Sequence, residues 1–414
     1  MQIYKVGGAV RDKLLHKTSQ DNDYVVVGST IEEMLSLGYT KVGKSFPVFL
    51  HPITKEEYAL ARKEIKKGSR HQDFEFIFTP SITLEEDAIR RDFTCNAIYE
   101  DTATGELIDF HHGIEDIKNK VLRHISPHFK EDPLRVLRAC RFVATLNFSL
   151  APETISICQK MVEEGAIQHL SKARIFQELE KALSSPYFYR FVETARQIGL
   201  LQELFPEVEK LWSIPEREDY HPEKNTGTHT LLALKSANSK DAVVNFSILL
   251  HDIGKTKTDQ TLWPSHHFHE NLGIDLAKNI LKRIDAPKIY QEFIPFAIQN
   301  HMISHSQKLN NPKNLAKVAL FLAKHQKQNY YLRFIDVLRA DIKGRAIKDL
   351  NNEDKEFQTF ISMFERYYNA SLKSKNNLIE DFPSVLEKLK NKQITNDELN
   401  EIVEKAIIKE ANFT

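Results

Sequence analysis

A pair of glycines near the start of the chain could hold phosphate groups. Gly7 and Gly8 follow the run 2–6, which is typical of a buried strand, and precede helix-forming residues, so the sequence predicts a strand, a turn and then a helix over 9–15. Amides in such a turn can approach phosphate oxygens closely, and the N-terminal end of the helix adds partial positive charge. Arg11, one turn into the helix, could clamp a phosphate. These features indicate nucleotide chemistry.

Two acidic residues, Asp21 and Asp23, precede the β-branched run 25–27. Side chains two positions apart in a strand point to the same face, so both carboxylates could bind one metal ion. Mg²⁺ is usually held by one or two carboxylates together with substrate phosphates, as in the transfer of a nucleotide to a hydroxyl group. The glycine turn and the acidic pair are each common alone, but their combination in this order indicates nucleotidyl transfer.

One predicted helix carries arginines at every third position. Asp132 and Pro133 are typical of a helix start, and Arg135, Arg138 and Arg141 follow. This spacing predicts a basic face, which in an isolated helix would usually only be solvated.

A chemical argument gives this helix a more specific role. Adenine and cytosine present an amino donor beside a ring-nitrogen acceptor, whereas guanine and uracil present a carbonyl beside a ring N–H. A carboxylate with a guanidinium, such as Asp132 with Arg135, therefore pairs with A and C and rejects G and U. Upstream, Arg91 could meet the triphosphate.

Histidines and acids in the second half of the chain are candidate metal ligands. His251 and Asp252 end an apolar helical stretch, and Gly254 allows a tight exit from it. Imidazole and carboxylate together suit a transition metal, which can activate water for attack on a phosphoester. The order His229, His251-Asp252, His269, His301 and Asp341 resembles that of HD phosphohydrolases. This resemblance implies that His229, His251, Asp252 and Asp341 are the firmer ligands, while His269 and His301 decide whether a second metal ion binds. His266, His267 and His305 are interpreted as chance neighbours.

Composition and pattern limit the class of protein. A chain of 414 residues needs several domains, and its 57 Lys and Arg residues balance 57 Asp and Glu residues, so any RNA contact must come from a local patch. Cys95, Cys140 and Cys158 form no CxxC pair, which favours a reducing cytosol. No stretch approaches the roughly 18 apolar residues of a membrane span, and the chain opens on a predicted strand rather than a signal peptide. We therefore expect a cytoplasmic protein that does not enter a membrane.

The elements that position these residues change along the chain. Up to about residue 112, short strand-like runs at 46–51, 57–62 and 106–110 alternate with helical patterns, which predicts an α/β or α+β head. From Asp116 onward the spacing is helical.

Four motifs in this order resemble class II tRNA nucleotidyltransferases. They are Gly-Gly-Ala-Val-Arg-Asp from residue 7, Asp-Asn-Asp from residue 21, Arg-Arg-Asp-Phe-Thr-x-Asn-Ala from residue 90, and Glu-Asp-Pro-Leu-Arg-x-x-Arg-x-x-Arg from residue 131. The histidine and aspartate order of the second half is similar to that of HD phosphohydrolases, so the resemblance covers nearly the whole chain. It implies an α+β fold with a polymerase-β-like nucleotidyltransferase head, an all-α neck and body, and an HD-type helical domain.

The resemblance also implies roles for single residues. Carried over by motif, Gly8 and Arg11 contact the nucleotide, Asp21 and Asp23 bind Mg²⁺, Arg91, Arg138 and Arg141 bind the incoming nucleotide, and Asp132 with Arg135 reads the base edge. Glu57, which with Arg62 fits a Glu-x-x-x-x-Arg strand of relatives, is a weaker further acid. The polar loop 65–73 matches a flexible loop associated with addition of the final A.

The family adds C, C and A to tRNA 3′ ends from CTP and ATP without a nucleic-acid template. The HD-type region implies 2′-nucleotidase, 2′,3′-cyclic phosphodiesterase and phosphatase activity with Ni²⁺ or another divalent transition metal. We expect the head and start of the neck at 1–142, a tRNA-binding neck and body at 143–212, the HD domain at 213–345 and a helical tail at 346–414. Monomer and homodimer both stay open.

Three alternative functions remain. A poly(A) polymerase shares the head motifs, although such enzymes tend to carry a longer basic C-terminal extension than the mixed-charge stretch 396–410. An HD phosphohydrolase with a nucleotide-sensing head would not require both Asp21 and Asp23. A tRNA-binding scaffold without turnover would need a lost catalytic position, and the motifs contain none.

Overall fold

The chain divides into two compact units. A computed structural model describes residues 1–18, 22–42, 48–66, 74–217, 219, 222–305, 311–345, 350–377, 387–388, 391 and 395–413. The first unit comprises Met1–Glu178 and Gln197–Glu203, and the second comprises Leu179–Arg196 and Leu204–Thr414. Asp21 and positions 67–73 of the predicted flexible loop lie outside the described residues.

The first unit is built on a mixed β-sheet. The elements of the head are β1 (Gln2–Val6), α1 (Gly8–Leu14), β2 (Asp23–Val27), α2 (Ile31–Ser36), β3 (Thr40–Val42), β4 (Val48–Leu50), β5 (Glu57–Leu60), β6 (Lys63–Lys66), β7 (Phe74–Ile77), α3 (Leu84–Ile89), β8 (Ile98–Asp101), β9 (Leu107–Asp109) and α4 (Gly113–Asn119). Seven of these strands form one sheet in the order β3-β4-β5-β2-β1-β8-β9, while β6 and β7 pair separately. The α+β class predicted for the fold is confirmed.

Alternating apolar residues bury both faces of this sheet. On β2, Val25 packs with Tyr4 and Tyr99 in one buried cluster, whereas Val26 packs with Met34 and Phe49 in another. Successive strand residues point to opposite faces, so the two clusters lie on opposite sides of β2. This burial fixes the register of β2, because a slip by one residue would exchange the two faces.

Helices dominate the chain after the head. The elements that follow are β10 (Val121–Leu122), α5 (Leu134–Leu146), β11 (Ser149–Leu150), α6 (Pro152–Glu163), α7 (Lys172–Leu183), α8 (Phe188–Gln197), α9 (Leu200–Leu204), α10 (Pro206–Glu209), α11 (Thr226–Ala237), α12 (Ala242–Leu250), α13 (His269–Arg283), α14 (Lys288–Asn300), α15 (Pro312–Lys324), α16 (Tyr330–Lys343), α17 (Leu350–Asn377) and α18 (Asn396–Phe413). Short 3-10 helices lie at Thr94–Asn96, Pro127–Glu131, Ala166–His169, Lys210–Ser213, Ile253–Lys257, Gln260–Leu262, His301–Ser304 and Gln326–Gln328. Among the described residues, no helix is both long enough and apolar enough to cross a membrane.

Two helices that carry candidate residues begin with clear local signals. The Asp132 carboxylate accepts a hydrogen bond from the backbone N–H of Leu134 at 2.9 Å, as a helix N-cap does. The helix α5 itself begins at Leu134, one residue later than predicted. Asp241 likewise accepts from the first turn of α12, a helix buried from Val243 to Leu250. A buried helix is apolar on all sides, and α12 delivers His251 into the interior.

Candidate nucleotide site and candidate metal centre

The glycine turn and the acidic strand meet in the head. Gly7 has φ of +77°, which glycine adopts without the penalty of a side chain, and a Cβ placed on it would lie 3.8 Å from Asp23 Oδ2. Asp23 begins β2 and lies directly beside Glu57 of β5 in parallel register. Asp23, Glu57 and Arg91 line a cavity of about 180 Å³. Two carboxylates and a guanidinium therefore line this cavity, with Asp23 and Arg91 beside the turn, and this donor set fits a Mg²⁺ ion with a triphosphate.

Asp87 orients Arg91 toward this turn. Arg91 donates from Nε to Asp87 Oδ2 at 3.2 Å and to the Tyr99 hydroxyl at 3.1 Å. Its Nη1 lies 3.9 Å from the Cβ position on Gly7. Burial raises the pKa of Asp87, but Arg90 and Arg91 outweigh burial and hold the pKa well below its usual value. The sequence analysis missed Asp87, although its spacing of four residues from Arg91 is that of a helical ion pair.

Arg11 is bound within the head. Its side chain is buried, with Nη1 donating to Asn96 Oδ1 at 2.6 Å and Nη2 donating to Asp12 Oδ1 at 2.8 Å. A Cβ on Gly8 would lie 3.5 Å from Arg11 Nη2, so these two predicted contacts are neighbours. A direct phosphate contact by Arg11 stays a prediction.

The arginine face of α5 is neutralised by buried carboxylates rather than by solvent. Arg138 donates from Nε and Nη2 to Asp92 Oδ2 at 2.8 and 2.5 Å, and Arg141 Nε donates to Glu178 Oε2 at 2.5 Å. Burial raises the pKa of Asp92, but Arg138 and the Asn96 amide outweigh burial and lower the pKa to about 2. Asp92 is therefore ionised, and it fixes the direction of Arg138.

Asp132 and Arg135 share a cavity, but each is held by other groups. Asp132 Oδ2 accepts from Arg174 Nη2 at 3.0 Å. Arg135 donates to the backbone carbonyls of His128, at 2.9 Å, and Arg90. A cavity of about 310 Å³ is lined by Arg90, Arg91, Asp92, Asp132, Leu134, Arg135, Arg138 and Arg174. Their predicted roles as a base-reading pair stay predictions, and Arg174 is a further residue of this cavity.

The second unit brings the six predicted HD ligands together. His229, His251 and Asp252 present ligand atoms within 4.8 Å of one another, and so do Asp252, His269 and His301. Asp252 belongs to both groups, which suits one or two bound cations. Asp341 joins the cluster because its Oδ1 lies 3.0 Å from His229 Nε2 and 3.6 Å from His251 Nε2. All six residues are buried.

Each imidazole is fixed by a bond at Nδ1. The acceptors are Glu223 Oε1 for His229 at 3.1 Å, Ile248 O for His251 at 2.7 Å, His266 O for His269 at 2.8 Å and Ile298 O for His301 at 2.7 Å. Carbonyl and carboxylate oxygens only accept, so Nδ1 carries the proton and Nε2 of a neutral ring presents a lone pair. Metal-ligating histidines are typically oriented in this way.

The Nε2 atoms converge without satisfying one another. His269 Nε2 and His301 Nε2 lie 3.1 Å apart, so lone pairs on both would repel unless a cation or proton lay between them. His251 Nε2 lies 3.1 Å from Asp252 Oδ2, yet it makes no well-aligned hydrogen bond within the described part of the chain. Burial lowers the pKa of His251, but Asp252 and Asp341 outweigh burial and raise it to about 10. This electrostatic environment favours positive charge, and the residues present fit a divalent metal.

The interpretation of His305 as a chance neighbour is wrong. Its Nε2 lies 2.9 Å from Asp341 Oδ2, so it supports a predicted ligand. Lys255 was also missed: it donates to Asp252 Oδ2 at 3.0 Å and to Glu216 Oε1 at 2.7 Å. Such supporting residues orient the ligands of a metal site.

Two family models match this chain. The Poly A polymerase head domain matches residues 3–123, and the model described as "Probable RNA and SrmB- binding site of polymerase A" matches residues 147–211. The Multifunctional CCA protein of Nitrosococcus oceani is 44% identical over 348 residues, which cover 84% of this chain and 86% of that protein. The Multifunctional CCA protein of Mannheimia succiniciproducens is 43% identical over 356 residues, with coverage of 84% and 85%.

Solved structures share the fold at lower identity. A complex of a CCA-adding enzyme with ATP gives a TM-score of 0.59 at 21% identity and covers 99% of this chain and 86% of that one. The Bacillus stearothermophilus CCA-adding enzyme in complex with CTP gives a TM-score of 0.57 at 21% identity and covers 97% of this chain and 92% of that one. A tRNA nucleotidyltransferase complexed with a primer tRNA and an incoming ATP analog gives a TM-score of 0.54 at 22% identity and covers 88% of this chain and 96% of that one.

Proposed function

This chain belongs to the family of multifunctional CCA proteins, and from that premise we propose that it adds C, C and A to tRNA 3′ ends from CTP and ATP. The observation that carries the proposal is the meeting of the Gly7 turn, Asp23 and Arg91 around one cavity. These groups provide backbone amides, a carboxylate and a guanidinium, which are the partners a nucleoside triphosphate and its cation require.

In this proposal, the residues of the head orient the triphosphate for attack. Asp21 and Asp23 would hold Mg²⁺, with Glu57 as a neighbouring acid, and the ion would supply charge against the triphosphate. Gly8, Arg11 and Arg91 bind phosphate oxygens so that the α-phosphate meets the terminal hydroxyl of tRNA.

Base choice is proposed to reside in the cavity at α5. The Asp132 carboxylate accepts from the exocyclic amino group of C or A, and Arg135 donates to the adjacent ring nitrogen. Arg174 supports this assignment because it holds the Asp132 carboxylate at 3.0 Å. Arg138 and Arg141 face the same nucleotide, with their directions set by Asp92 and Glu178.

The test is product sequencing after a tRNA without its CCA end is incubated with all four nucleoside triphosphates and Mg²⁺. We expect C, C, A and then no further addition. Asp23→Asn should reduce incorporation at least about 100-fold, because losing even a supporting residue of a metal site costs 10–100-fold. Asp275→Asn, on the exposed side of α13, is the matched control. A tail of A alone, with no C added from CTP, would assign the chain to the poly(A) polymerases.

We also propose that the second unit is a metal-dependent phosphohydrolase. The supporting observation is the set of four imidazoles whose Nδ1 atoms are bonded and whose Nε2 atoms meet Asp252 or Asp341. His229, His251, Asp252 and Asp341 would hold one ion, Ni²⁺ or another divalent transition metal, with His269 and His301 available to a second. A metal bound there would act as a Lewis acid on a phosphoester. The proposed substrates are 2′-nucleotides, 2′,3′-cyclic phosphates and other phosphoesters.

Two substitutions separate these functions. Asp23→Ala should abolish CMP and AMP incorporation and leave phosphoester hydrolysis intact, while His251→Ala should do the reverse. Loss of both activities from either substitution would refute two separate sites. If Asp23→Ala changed only nucleotide affinity and the wild type added no nucleotide, the head would instead be a sensor.

Residues 143–212 are proposed to contact tRNA, which the RNA-binding description of the model matching 147–211 supports. Contacts there would be made mainly to the RNA backbone. The proposed regions 1–142, 213–345 and 346–414 then carry the transferase head, the HD domain and a helical tail in a cytoplasmic protein.

A further inference from the structure

A cavity of about 530 Å³ opens beside the metal centre. The predicted ligand His269 lines it, and so does His305, which is bonded to Asp341. A volume of this size admits a small organic molecule that carries a phosphate group. Ser304 and Arg345 also line it, and neither has a role in the site described so far.

Two hydrogen-bonding atoms of this lining are left unsatisfied. Arg345 Nε and Ser304 Oγ are buried and have no hydrogen-bond partner within the described residues. Most buried polar atoms in folded proteins are paired, so an unpaired one calls for a partner that binds later. Both atoms can donate to oxygen, and an anion with several oxygens would satisfy them together.

His305 holds the Arg345 guanidinium in place. His305 Nε2 lies 2.9 Å from Asp341 Oδ2, and because a carboxylate only accepts, Nε2 carries the proton. His305 Nδ1 then accepts from Arg345 Nη2 at 3.0 Å. Arg345 is thereby linked through His305 to a ligand of the metal centre, which restricts where its free donor can point.

The charges around the cavity leave Arg345 available to an anion. The Glu216 carboxylate accepts from Lys255 Nζ at 2.7 Å and from the Thr226 hydroxyl at 2.6 Å. The bonded partner of Arg345 is the neutral His305 ring rather than a carboxylate. Glu356 also lines the cavity, as does a third cation, Arg217. A guanidinium that is bound to a neutral group keeps its full charge for a ligand.

We propose that Arg345 and Ser304 form a phosphate-binding subsite that holds the phosphoryl group of the ester to be hydrolysed. This inference rests on the proposed phosphohydrolase function. Arg345 and Ser304 bind phosphoryl oxygens, and His305 is a positioning residue for Arg345. The ligand class is a phosphomonoester or cyclic phosphate whose organic part fills the rest of the cavity.

The test uses the full-length, metal-loaded protein. Inorganic phosphate is titrated by calorimetry, and hydrolysis of phenyl phosphate gives kcat and KM separately. Arg345→Gln should weaken phosphate binding roughly 10- to 100-fold, as expected for the loss of charge-assisted hydrogen bonds. It should raise KM more than it lowers kcat, because it removes binding common to substrate and transition state. Arg345→Lys keeps the charge but not the planar guanidinium, so its phosphate affinity should lie between those of the wild type and Arg345→Gln.

The matched control is Arg339→Gln, because Arg339 lies on α16, which ends two residues before Arg345, and pairs with Asp336 at 3.0 Å. CMP incorporation and the urea midpoint of each variant report whether the chain is folded. If wild type and Arg345→Gln bind phosphate equally, or neither binds it, the subsite is overturned whatever the hydrolysis shows. If no phosphoester is hydrolysed with any divalent metal while Arg345→Gln still loses phosphate, the phosphohydrolase fails and the subsite stands.

Discussion

Replacement of Gly254 by alanine should disrupt the proposed metal centre without replacing any of its candidate ligands. Gly254 lies in the turn directly after Asp252, and a Cβ on it would lie 1.9 Å from His269 O and 2.6 Å from Gly273 N. Both obstacles are backbone atoms of α13, so the turn and the helix would have to separate by about 1 Å. Overpacking usually lowers the free energy of unfolding by about 1–3 kcal/mol. Because backbone atoms cannot move aside as a side chain can, Gly254→Ala should lower it by about 3 kcal/mol.

The same displacement predicts a loss of activity. Asp252 Oδ1 lies 3.2 Å from His269 Nε2, and catalytic groups must be held within about 0.5 Å of their working positions. A misplacement of about 1 Å can cost roughly 100-fold, so phosphoester hydrolysis should fall by about that factor. CMP incorporation by the head should not change.

Urea unfolding followed by tryptophan fluorescence measures the stability change. Trp212 and Trp263 are the two tryptophans of the chain, and both belong to the second unit, so the signal reports that unit. Asp275→Ala, on the exposed side of α13, should stay within about 0.5 kcal/mol of wild type and serves as the control. An unchanged urea midpoint with unchanged hydrolysis for Gly254→Ala would refute the steric argument.

Three further outcomes are expected. Because the pKa of Asp92 is lowered to about 2, its ionisation stabilises the fold above pH ~4, and this contribution is lost as the pH falls toward 2. Asp92→Asn should therefore lower the free energy of unfolding by about 2 kcal/mol at pH 7 and by progressively less below pH ~4. Hydrogen exchange of the α5 amides measures this change. Arg174→Ala should raise incorporation of G and U roughly tenfold in sequenced products, because it frees the Asp132 carboxylate. Chelation should lower the melting temperature of the second unit by several degrees in wild type but not in His251→Ala.

Local sequence patterns predicted the strands and helices but not which strands pair with one another. The strand at 2–6, the turn at Gly7 and the start of α5 depend on neighbouring residues, and each lies within a residue or so of its predicted place. The predicted strand 57–62 is observed over Glu57–Leu60, whereas its parallel pairing with β2 is a long-range contact that periodicity does not encode. Only that pairing shows why Glu57, the weaker candidate, lies beside Asp23.

In the candidate sites, too, some residues could be predicted from the sequence and others could be identified only from their contacts in the structure. The six candidate ligands could be predicted because their order resembles that of HD phosphohydrolases, and the structure brings all six together. Some residues that orient the sites could not, since they are far away in sequence: Glu178 is 37 positions from Arg141, and Arg174 is 42 from Asp132. Asp87 and Lys255 were missed although they lie only four and three positions from Arg91 and Asp252. His305 was set aside because a histidine outside a known order is usually structural, and only its contact with Asp341 identifies its role.

The two proposed chemistries differ in the atoms that would hold the metal. Asp23 and Glu57 in the head offer only oxygen, which Mg²⁺ prefers, whereas the second unit combines four imidazoles with Asp252 and Asp341 and suits a softer ion. Each ligand set belongs to one unit. The affinity of a site follows its own donors, so a transition metal at low concentration should fill the histidine cluster first. Hydrolysis should then appear before nucleotide addition as that metal is titrated, while Mg²⁺ alone should support addition.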